Sequence, residues 1–255
     1  MKKGILIFLI CILLGACGDT SQDHDATKKI TLTVSAAASL KNALSEIEND
    51  YEATHHNIDI KFNYGSSGAL AQQIISGAPV DIFFSAAQDK VDFLVKEKAV
   101  DAAATKTVLK NHLVLISKDK LQSTDELKAD HIKKIAIGNP ELVPAGKYGK
   151  QALEKLGLYE AIQPKLILTK DVRQVLTYVE TGNTEAGIVY ASDLKATSKI
   201  DNKIAINKST HEPITYPIAL IKATKHNEAA TNLYEYLQSE ASMKVYEKYG
   251  FNNKK

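Results

Sequence analysis

The residues best suited to binding chemistry are two serines, a tyrosine and two helix starts. Ser39, Ser67, Ala145 and Val172 each stand where a strand-like segment gives way to a helix-like one. The first N–H groups of a helix have no partner inside it, and the helix dipole adds partial positive charge there. The two serines add hydroxyls, and Tyr190 ends another predicted strand. These donors carry no full charge, so they predict a site for a deprotonated anion that accepts hydrogen bonds on every side.

The first of these joints shows how the elements position the site. Residues 30–34 alternate apolar and polar types, as in a half-buried strand, and residues 40–51 carry apolar residues at helical spacing. Ser39 therefore lies at or beside a helix N-cap, beyond the carboxyl end of a strand, where open α/β sheets bind ligands. Taken alone, a serine in this place is more often an ordinary cap than a ligand.

The alternation of strand and helix continues along the chain. We predict a long amphipathic helix at 228–249 and further strands, with helices between them, at 58–64, 80–85, 112–117, 135–138, 166–168, 186–190 and 216–221. This order predicts an α/β fold with mainly parallel sheets. We expect two lobes joined by two crossover strands, the first lobe formed by residues 29–109 and 214–255 and the second by residues 110–213.

Three residues mark helix ends in the second lobe. Pro144 is predicted just outside the first turn of a helix, where a missing N–H costs little. Asp171 is predicted to be an N-cap, and Gly182 the glycine that follows a helix end.

The N-terminal segment predicts export. A basic start and the apolar run 5–14 are typical of a secretory signal and too short to span a membrane, so residues 1–16 are predicted to be a signal peptide. The run ends at Cys17 in a sequence that resembles a lipoprotein lipobox; a plain signal peptide or an uncleaved anchor is the alternative. Residues 17–28 then predict a flexible tether. We expect localisation at the outer face of the cytoplasmic membrane, with a lipid anchor at Cys17.

Composition excludes some functions. Cleavage before Cys17 removes two of the 32 Lys and Arg residues, which leaves them equal in number to the 30 Asp and Glu residues. With no net positive field, no nucleic-acid partner is expected. The two cysteines, Cys11 and Cys17, both lie in the signal region, so the folded part can contain neither a disulfide nor a thiolate metal site.

An ordered set of motifs resembles those of the molybdate-binding proteins that supply molybdate ABC transporters. The motifs are Ala36 to Leu40, Gly65 to Ala71, Gly77 to Ile82, Val143 to Tyr148, Asp171 to Arg173 and Gly187 to Tyr190. Any one of them would be a weak signal, but the set runs in order over almost the whole mature chain, down to Phe251. The resemblance implies a two-lobed type II periplasmic-binding-protein fold.

The resemblance also implies a ligand and the residues that bind it. In that family the oxyanion is held by two serine hydroxyls with neighbouring N–H groups, by N–H groups at alanine and valine helix starts, and by a tyrosine hydroxyl. Here those positions are Ser39, Ser67, Ala145, Val172 and Tyr190. The expected ligand is molybdate, with tungstate as a second one, so molybdenum would enter as an oxyanion and not as a bare cation. No catalytic residue and no cofactor are expected; the expected partner is an ABC transporter permease, and the protein is expected to be a monomer.

Some alternatives stay open at this point. Gly68 replaces the third serine of a run found in some relatives, which leaves the choice between Ser66 and Ser67 open. The ligand could be another tetrahedral oxyanion, namely sulfate or phosphate, or tungstate alone. Phosphate often needs an acceptor for its remaining proton, so a site of donors would penalise it. An extracellular sensor domain could use the same two-lobed fold.

Enzymatic and metal-binding readings are weaker. Residues 65–69 do not match the serine hydrolase elbow, because position 69 is alanine, although a distant triad stays open. The pair His55 and His56 has no further metal ligand at useful spacing. Lys147 and Arg173, near two of the helix starts, are predicted to be solvated surface residues outside the site.

Overall fold

The computed structural model describes residues 29–253. The predicted signal peptide, the tether up to Lys28 and the anchor at Cys17 lie outside the described residues. The strands are β1 (Ile30–Ala37), β2 (Ile58–Gly65), β3 (Ile82–Phe84), β4 (Val100–Lys110), β5 (Leu113–Ser117), β6 (Ile135–Gly138), β7 (Leu166–Thr169), β8 (Ala186–Tyr190), β9 (Asn202–Ala205), β10 (Thr215–Ile221) and β11 (Asn252–Asn253). The α-helices are α1 (Lys41–Glu52), α2 (Ser67–Ile75), α3 (Gln88–Lys96), α4 (Pro144–Lys155), α5 (Tyr159–Ile162), α6 (Val172–Glu180), α7 (Asn227–Tyr236) and α8 (Glu240–Lys248).

Each lobe is built on one mixed sheet. The first lobe has the strand order β11-β4-β10-β3-β1-β2, and the second has β7-β6-β8-β5-β9. In the first sheet β1 is parallel to β2 and β3, whereas β10 is antiparallel to β3 and β4. In the second, β6 is parallel to β7 and β8, and β5 is antiparallel to β8 and β9.

The two-lobed α/β fold is confirmed, but the sheets are mixed rather than mainly parallel. The physical reason is the path of the chain. Strand β10 joins the first sheet only after the chain has passed through the second lobe, and it returns in the opposite direction. Strand–helix alternation within each lobe predicted the parallel half and gave no information about strands that enter from the other lobe.

Two connections pass between the lobes. The chain leaves the first sheet at the end of β4 and begins β5 at Leu113, and it returns ahead of β10 at Thr215. The two connections run side by side, since the Asn111 N–H donates to the Ile214 carbonyl at 3.2 Å. The residue boundaries of the lobes stay a prediction.

The first sheet is covered by helices on both faces. Ile82 and Phe84 of β3 pack in the main core, which includes residues of α1, α7 and α8, and Phe83 between them packs with α2 and α3. All three side chains are fully buried. This alternation explains why residues 80–85 read as a nearly continuous apolar run.

The predicted helix caps are confirmed in the second lobe. The Asp171 carboxylate accepts from the Gln174 N–H at 2.9 Å, at the start of α6. Gly182 follows the end of α6 with φ of +72°, where a side chain would be strained. Pro144, predicted just outside the first turn, is instead the first residue of α4, and Val143 is the N-cap.

The single helix predicted at 228–249 is wrong. It is divided into α7 and α8, because Ser239 caps a new helix by accepting from the Ser242 N–H at 3.3 Å. The apolar spacing continues across the break, so periodicity alone did not reveal it.

Candidate oxyanion site

The five predicted ligand residues line one cavity between the lobes. It is the smallest of the five cavities described in residues 29–253. Its lining carries no charged side chain: Ala37, Ala38, Ser39, Gly65, Ser66, Ser67, Ala86, Val143, Pro144, Ala145, Val172 and Tyr190. Its lining suits a small guest held by hydrogen-bond donors.

Ser39 lies in a one-turn 3-10 helix, Ala38–Leu40, that leads into α1. Its hydroxyl caps no N–H group there, so the ordinary-cap interpretation does not apply. Instead the Ser39 Oγ lies 2.9 Å from the Tyr216 hydroxyl, and both residues are buried. Ser39 is therefore held by a side chain from β10 and not by the helix that follows it.

Ser66 and Ser67 have different tasks at the start of α2. Ser66 is the N-cap, and its Oγ accepts from the Ala69 N–H at 3.4 Å. The Ser67 Oγ accepts from the Ala86 N–H at 2.9 Å. Because that bond occupies a lone pair of Ser67, its hydroxyl hydrogen stays free to donate into the cavity. Ser67 is fully buried, so this donor has little access to water.

Two helix starts from the second lobe supply N–H groups. Ala145 and Val172 are nearly fully buried, and their backbone N–H groups donate to no acceptor within residues 29–253. Pro144 precedes Ala145, so α4 begins without an N–H at its first position, and Asp171 directs the cap of α6 to Gln174. Buried N–H groups in folded proteins nearly always have a partner, so these two are candidate ligand contacts.

The Tyr190 hydroxyl is a third donor without a partner. Tyr190 is 1% exposed, and its hydroxyl has no hydrogen bond to any of the residues described. Burial raises the pKa of this phenol well above its ordinary value, and nearby Tyr216 raises it further. Tyr190 therefore keeps its proton and can donate to an anion. Its position at the end of β8 agrees with the sequence prediction.

Three contacts hold the lobes together beside the cavity. The Gly68 N–H donates to the Leu142 carbonyl at 2.9 Å. The Arg173 guanidinium donates to the Ser39 carbonyl at 3.3 Å. The third is the ion pair between Lys147 of the second lobe and Asp89 of the first, whose charged atoms lie 3.7 Å apart. We refer to these three as the closure contacts.

The prediction that Arg173 is a solvated surface residue is wrong. Its side chain is 20% exposed, and its Nε lies 2.9 Å from an oxygen of the fully buried Asp193. The angle is not that of a hydrogen bond, so we describe this contact as an ion pair. Burial raises the pKa of Asp193 to about 6, while Arg173 and the Tyr190 N–H oppose the rise. Arg173 touches the Ser39 backbone but does not line the cavity.

Lys147 is also in a cross-lobe contact. The cross-lobe partner is Asp89 at the start of α3, 3.7 Å from the Lys147 ammonium. The same ammonium lies 3.0 Å from Glu212. The Lys147 side chain is 29% exposed, and the two acids are more exposed. It does not line the cavity.

Sequence reasoning missed Tyr216, Asn111 and Asp193. Tyr216 contacts the Ser39 hydroxyl, Asn111 contacts Tyr216, and Asp193 pairs with Arg173. Asp193 stands three residues after Tyr190, and its carboxylate accepts from the Tyr190 N–H, a local pattern that could have been found. Nothing in the sequence marks the other two.

Two features are absent from residues 29–253. No helix there has the length and apolar character needed to cross a membrane. No group of three or more His, Cys, Asp or Glu side chains in that part is placed to hold a metal ion.

Comparison with known proteins gives consistent matches. Residues 32–252 match the family model described as bacterial extracellular solute-binding protein. The chain is 46% identical to YvgL of Bacillus subtilis (strain 168), provisionally named an ABC transporter substrate-binding lipoprotein, over 98% of this chain and 99% of that one. It is 37% identical to the molybdate-binding protein ModA of Escherichia coli (strain K12), over 88% and 89%.

A solved structure shares the fold. The periplasmic molybdate-binding protein of Azotobacter vinelandii aligns with a TM-score of 0.81 at 23% identity, over 88% of this chain and all of that one.

Proposed function

Because the chain belongs to the family of bacterial extracellular solute-binding proteins, we propose that it captures molybdate between its lobes and delivers it to an ABC transporter permease. Tungstate is proposed as a second ligand. The family consists of transport components and not enzymes, so the hydrolase alternative is set aside. Molybdate is in this view the transported ligand and not a cofactor.

The observation that carries the proposal is the set of buried donors without partners. The Tyr190 hydroxyl and the N–H groups of Ala145 and Val172 meet the free hydroxyl hydrogen of Ser67 around one cavity. A buried donor without a partner costs about 1–3 kcal/mol, and a hydrogen bond to a charged group contributes about 1.5–3 kcal/mol. An anion in this cavity would satisfy all four groups at once.

The chemistry of the lining favours an anion without a proton. Its polar groups are hydroxyls and backbone N–H groups, and it contains no carboxylate or imidazole that could accept a proton from the ligand. Hydrogen phosphate would have to place its proton against a donor, which costs binding energy. Sulfate carries no proton but is smaller, so its oxygens would lie short of several donors. These arguments favour molybdate, and they separate it from tungstate only weakly.

Capture and closure are coupled in the proposed mechanism. Ser39 and Ser67 belong to the first lobe, and Ala145, Val172 and Tyr190 to the second. A ligand that contacts both sets binds the closed arrangement better than an open one, so it shifts the population towards closure. The closed form is then the one presented to the permease.

The test is a titration of the purified domain with molybdate, tungstate, sulfate and phosphate, followed by calorimetry and thermal unfolding. Molybdate and tungstate are expected to raise the unfolding temperature, increasingly with concentration as mass action requires. Sulfate and phosphate should give much smaller shifts at equal concentration. A large shift with sulfate or phosphate and none with molybdate would contradict the ligand assignment.

Anchoring is a separate part of the proposal. We propose that Cys17 is lipidated after removal of residues 1–16 and that the protein acts as a monomer at the outer face of the cytoplasmic membrane. The name given to YvgL supports the anchor. The Cys17→Ser variant should lose the lipid mass and appear in the medium or periplasm, whereas the wild type stays with membranes. Equal distribution of both proteins would exclude the anchor.

A further inference from the structure

A hydrogen-bond chain leads from the connection between the lobes to Ser39. It begins at Asn111, whose side-chain oxygen accepts from the His112 N–H at 2.9 Å. A backbone N–H can only donate, so this bond fixes which end of the amide is the oxygen. The Asn111 NH₂ group must then point the other way, and it donates to the Ser192 Oγ at 2.8 Å and to the Tyr216 hydroxyl at 3.2 Å.

The direction of the next bond follows from the first. The Tyr216 hydroxyl has one hydrogen, and it already accepts from Asn111. The Ser39 Oγ, 2.9 Å away, is the one other hydrogen-bond neighbour of this hydroxyl among the described residues, so the buried Tyr216 hydrogen is satisfied only if it donates to Ser39. Tyr216 is fully buried, and burial raises the pKa of its phenol well above the ordinary value, so the hydrogen is retained.

We infer that Asn111 and Tyr216 are positioning residues that make Ser39 a donor towards the ligand. Because Ser39 accepts from Tyr216, its own hydrogen is free to point into the cavity that it lines. Ser67 reaches the same state through the Ala86 N–H. In both Ser39 and Ser67 the hydroxyl oxygen therefore accepts from a fixed protein donor, and the hydroxyl hydrogen can donate into the cavity. The inference rests on the proposed function, since it concerns the same site.

The inference is tested by a double-mutant cycle on molybdate affinity with Tyr216→Phe and Ser39→Ala. Tyr216 does not line the cavity, so its hydroxyl should act only through Ser39. Tyr216→Phe alone should weaken binding about 3- to 10-fold, the worth of one neutral hydrogen bond. In the Ser39→Ala background the same change should cost less than about twofold. Equal losses in both backgrounds would show a general structural effect and overturn the inference.

A second variant reverses the direction of the hydrogen bonds between Asn111, Tyr216 and Ser39 without removing the side chains that form them. Asn111→Asp keeps an oxygen for the His112 N–H but replaces the donor to Tyr216 by an acceptor. The Tyr216 hydrogen should then turn away from Ser39, and Ser39 should lose its outward direction. We expect a greater loss of molybdate affinity than with Tyr216→Phe, and most of that loss should vanish in the Tyr216→Phe background. A loss that persists there would be a direct effect of the new charge and would contradict the inference.

Ser192→Ala is the matched control. Ser192 accepts from the same amide but lies on the branch that does not reach Ser39. Its removal should change molybdate affinity by less than about twofold, since the His112 contact still orients Asn111. Thermal unfolding of each variant checks that it folds, and Tyr216→Phe, which changes only a hydroxyl, keeps the test decisive if Asn111→Asp does not fold. A wild type that binds none of the four oxyanions would overturn the proposed function and this inference together, whereas normal binding with equal losses overturns the inference alone.

Discussion

The cavity lining and the closure contacts use different chemistry, although they are neighbours. The lining is uncharged and offers hydroxyl and N–H donors. Two of the three closure contacts are made by the charged side chains of Arg173 and Lys147. Positive charge is therefore placed where it joins the lobes and is absent from the surface that meets the ligand.

This difference has a physical reason. A lysine or arginine in the lining would attract any anion, whereas fixed hydrogen-bond donors bind well only an anion whose acceptor atoms match their positions. Both cations are also paired with acids, Arg173 with Asp193 and Lys147 with Glu212. Their fields are thus largely neutralised before they reach the cavity. The following predictions test whether closure and ligand contact are separable in this way.

The largest effect is expected from Arg173→Met, measured as the free energy of unfolding at pH 7. It leaves the Asp193 carboxyl fully buried without its positive partner, with the Tyr190 N–H at 3.1 Å as its remaining contact, so the group must either stay protonated or bear an unpaired buried charge. Breaking a buried pair by removing one partner costs about 3–5 kcal/mol. Lys170→Met is the control, because Lys170 is exposed at the same end of α6, and it should change stability by less than about 0.5 kcal/mol. Similar stabilities for both variants would mean that the pair contributes little.

The pH dependence sharpens this prediction. The pKa of Asp193 is about 6 in the folded protein, above its ordinary value of 3.8. The stabilisation that comes from holding this carboxyl protonated in the folded protein is therefore fully present below about pH 4 and is lost as the pH rises through 6. Without Arg173, which lowers this pKa, the carboxyl should stay protonated to higher pH. The defect of Arg173→Met should accordingly shrink as the pH is lowered from 7 to 5, and a constant defect would contradict this account.

Gly68→Ala should impair closure without harming the fold. A methyl group at Gly68 would lie 2.5 Å from the Leu142 carbonyl oxygen and 2.9 Å from its Cα, both backbone atoms of the other lobe. Overpacking of this kind costs about 1–3 kcal/mol, which corresponds to about 5- to 150-fold in molybdate affinity. The free protein should be unchanged or slightly more stable, since alanine favours a helix more than glycine does.

Gly149→Ala is the control for that variant. Its methyl group would meet the Ile188 side chain at 3.3 Å, within the second lobe. It should lower stability and leave affinity nearly unchanged. Small-angle scattering with and without molybdate would show whether Gly68→Ala stays open. If it closes and binds like the wild type, the close approach at Gly68 is not needed for binding.

Ser67→Ala and Ser66→Ala should separate a ligand contact from a helix cap. Ser67→Ala removes the proposed donor and should weaken molybdate binding by about 1–3 kcal/mol, measured by calorimetry. Ser66→Ala removes the cap on Ala69 and should lower stability by about 1 kcal/mol with a smaller effect on binding. The reverse result would make Ser66 the ligand residue.

The sequence predicted the strand-to-helix junctions of the site better than the side-chain contacts that support them. Strand-to-helix changes of period located Ser39, Ser67, Ala145 and Val172, and the resemblance implied that these four and Tyr190 are the ligand residues. Strand β4 was missed because Val100–Lys110 is largely exposed and rich in alanine, threonine and lysine, without clear alternation. Side-chain bonds between distant residues leave no local pattern: Ser39 and Tyr216 are 177 positions apart, and Asn111 and Tyr216 are 105 apart.

Lys147→Gln should have the smallest effect. It tests most directly whether the charged closure contacts are separable from the uncharged cavity lining. Lys147 and its acids are partly exposed, and such pairs contribute about 0–1 kcal/mol. We expect less than about a threefold change in molybdate affinity, and less still at high salt, where exposed charges are screened. The control is Lys150→Gln on the same helix, whose pair with Glu154 is also exposed but stays within α4. If Lys147→Gln abolished binding while Ser67→Ala bound normally, the ligand would be held by charge. The uncharged lining would then have to be abandoned as the site.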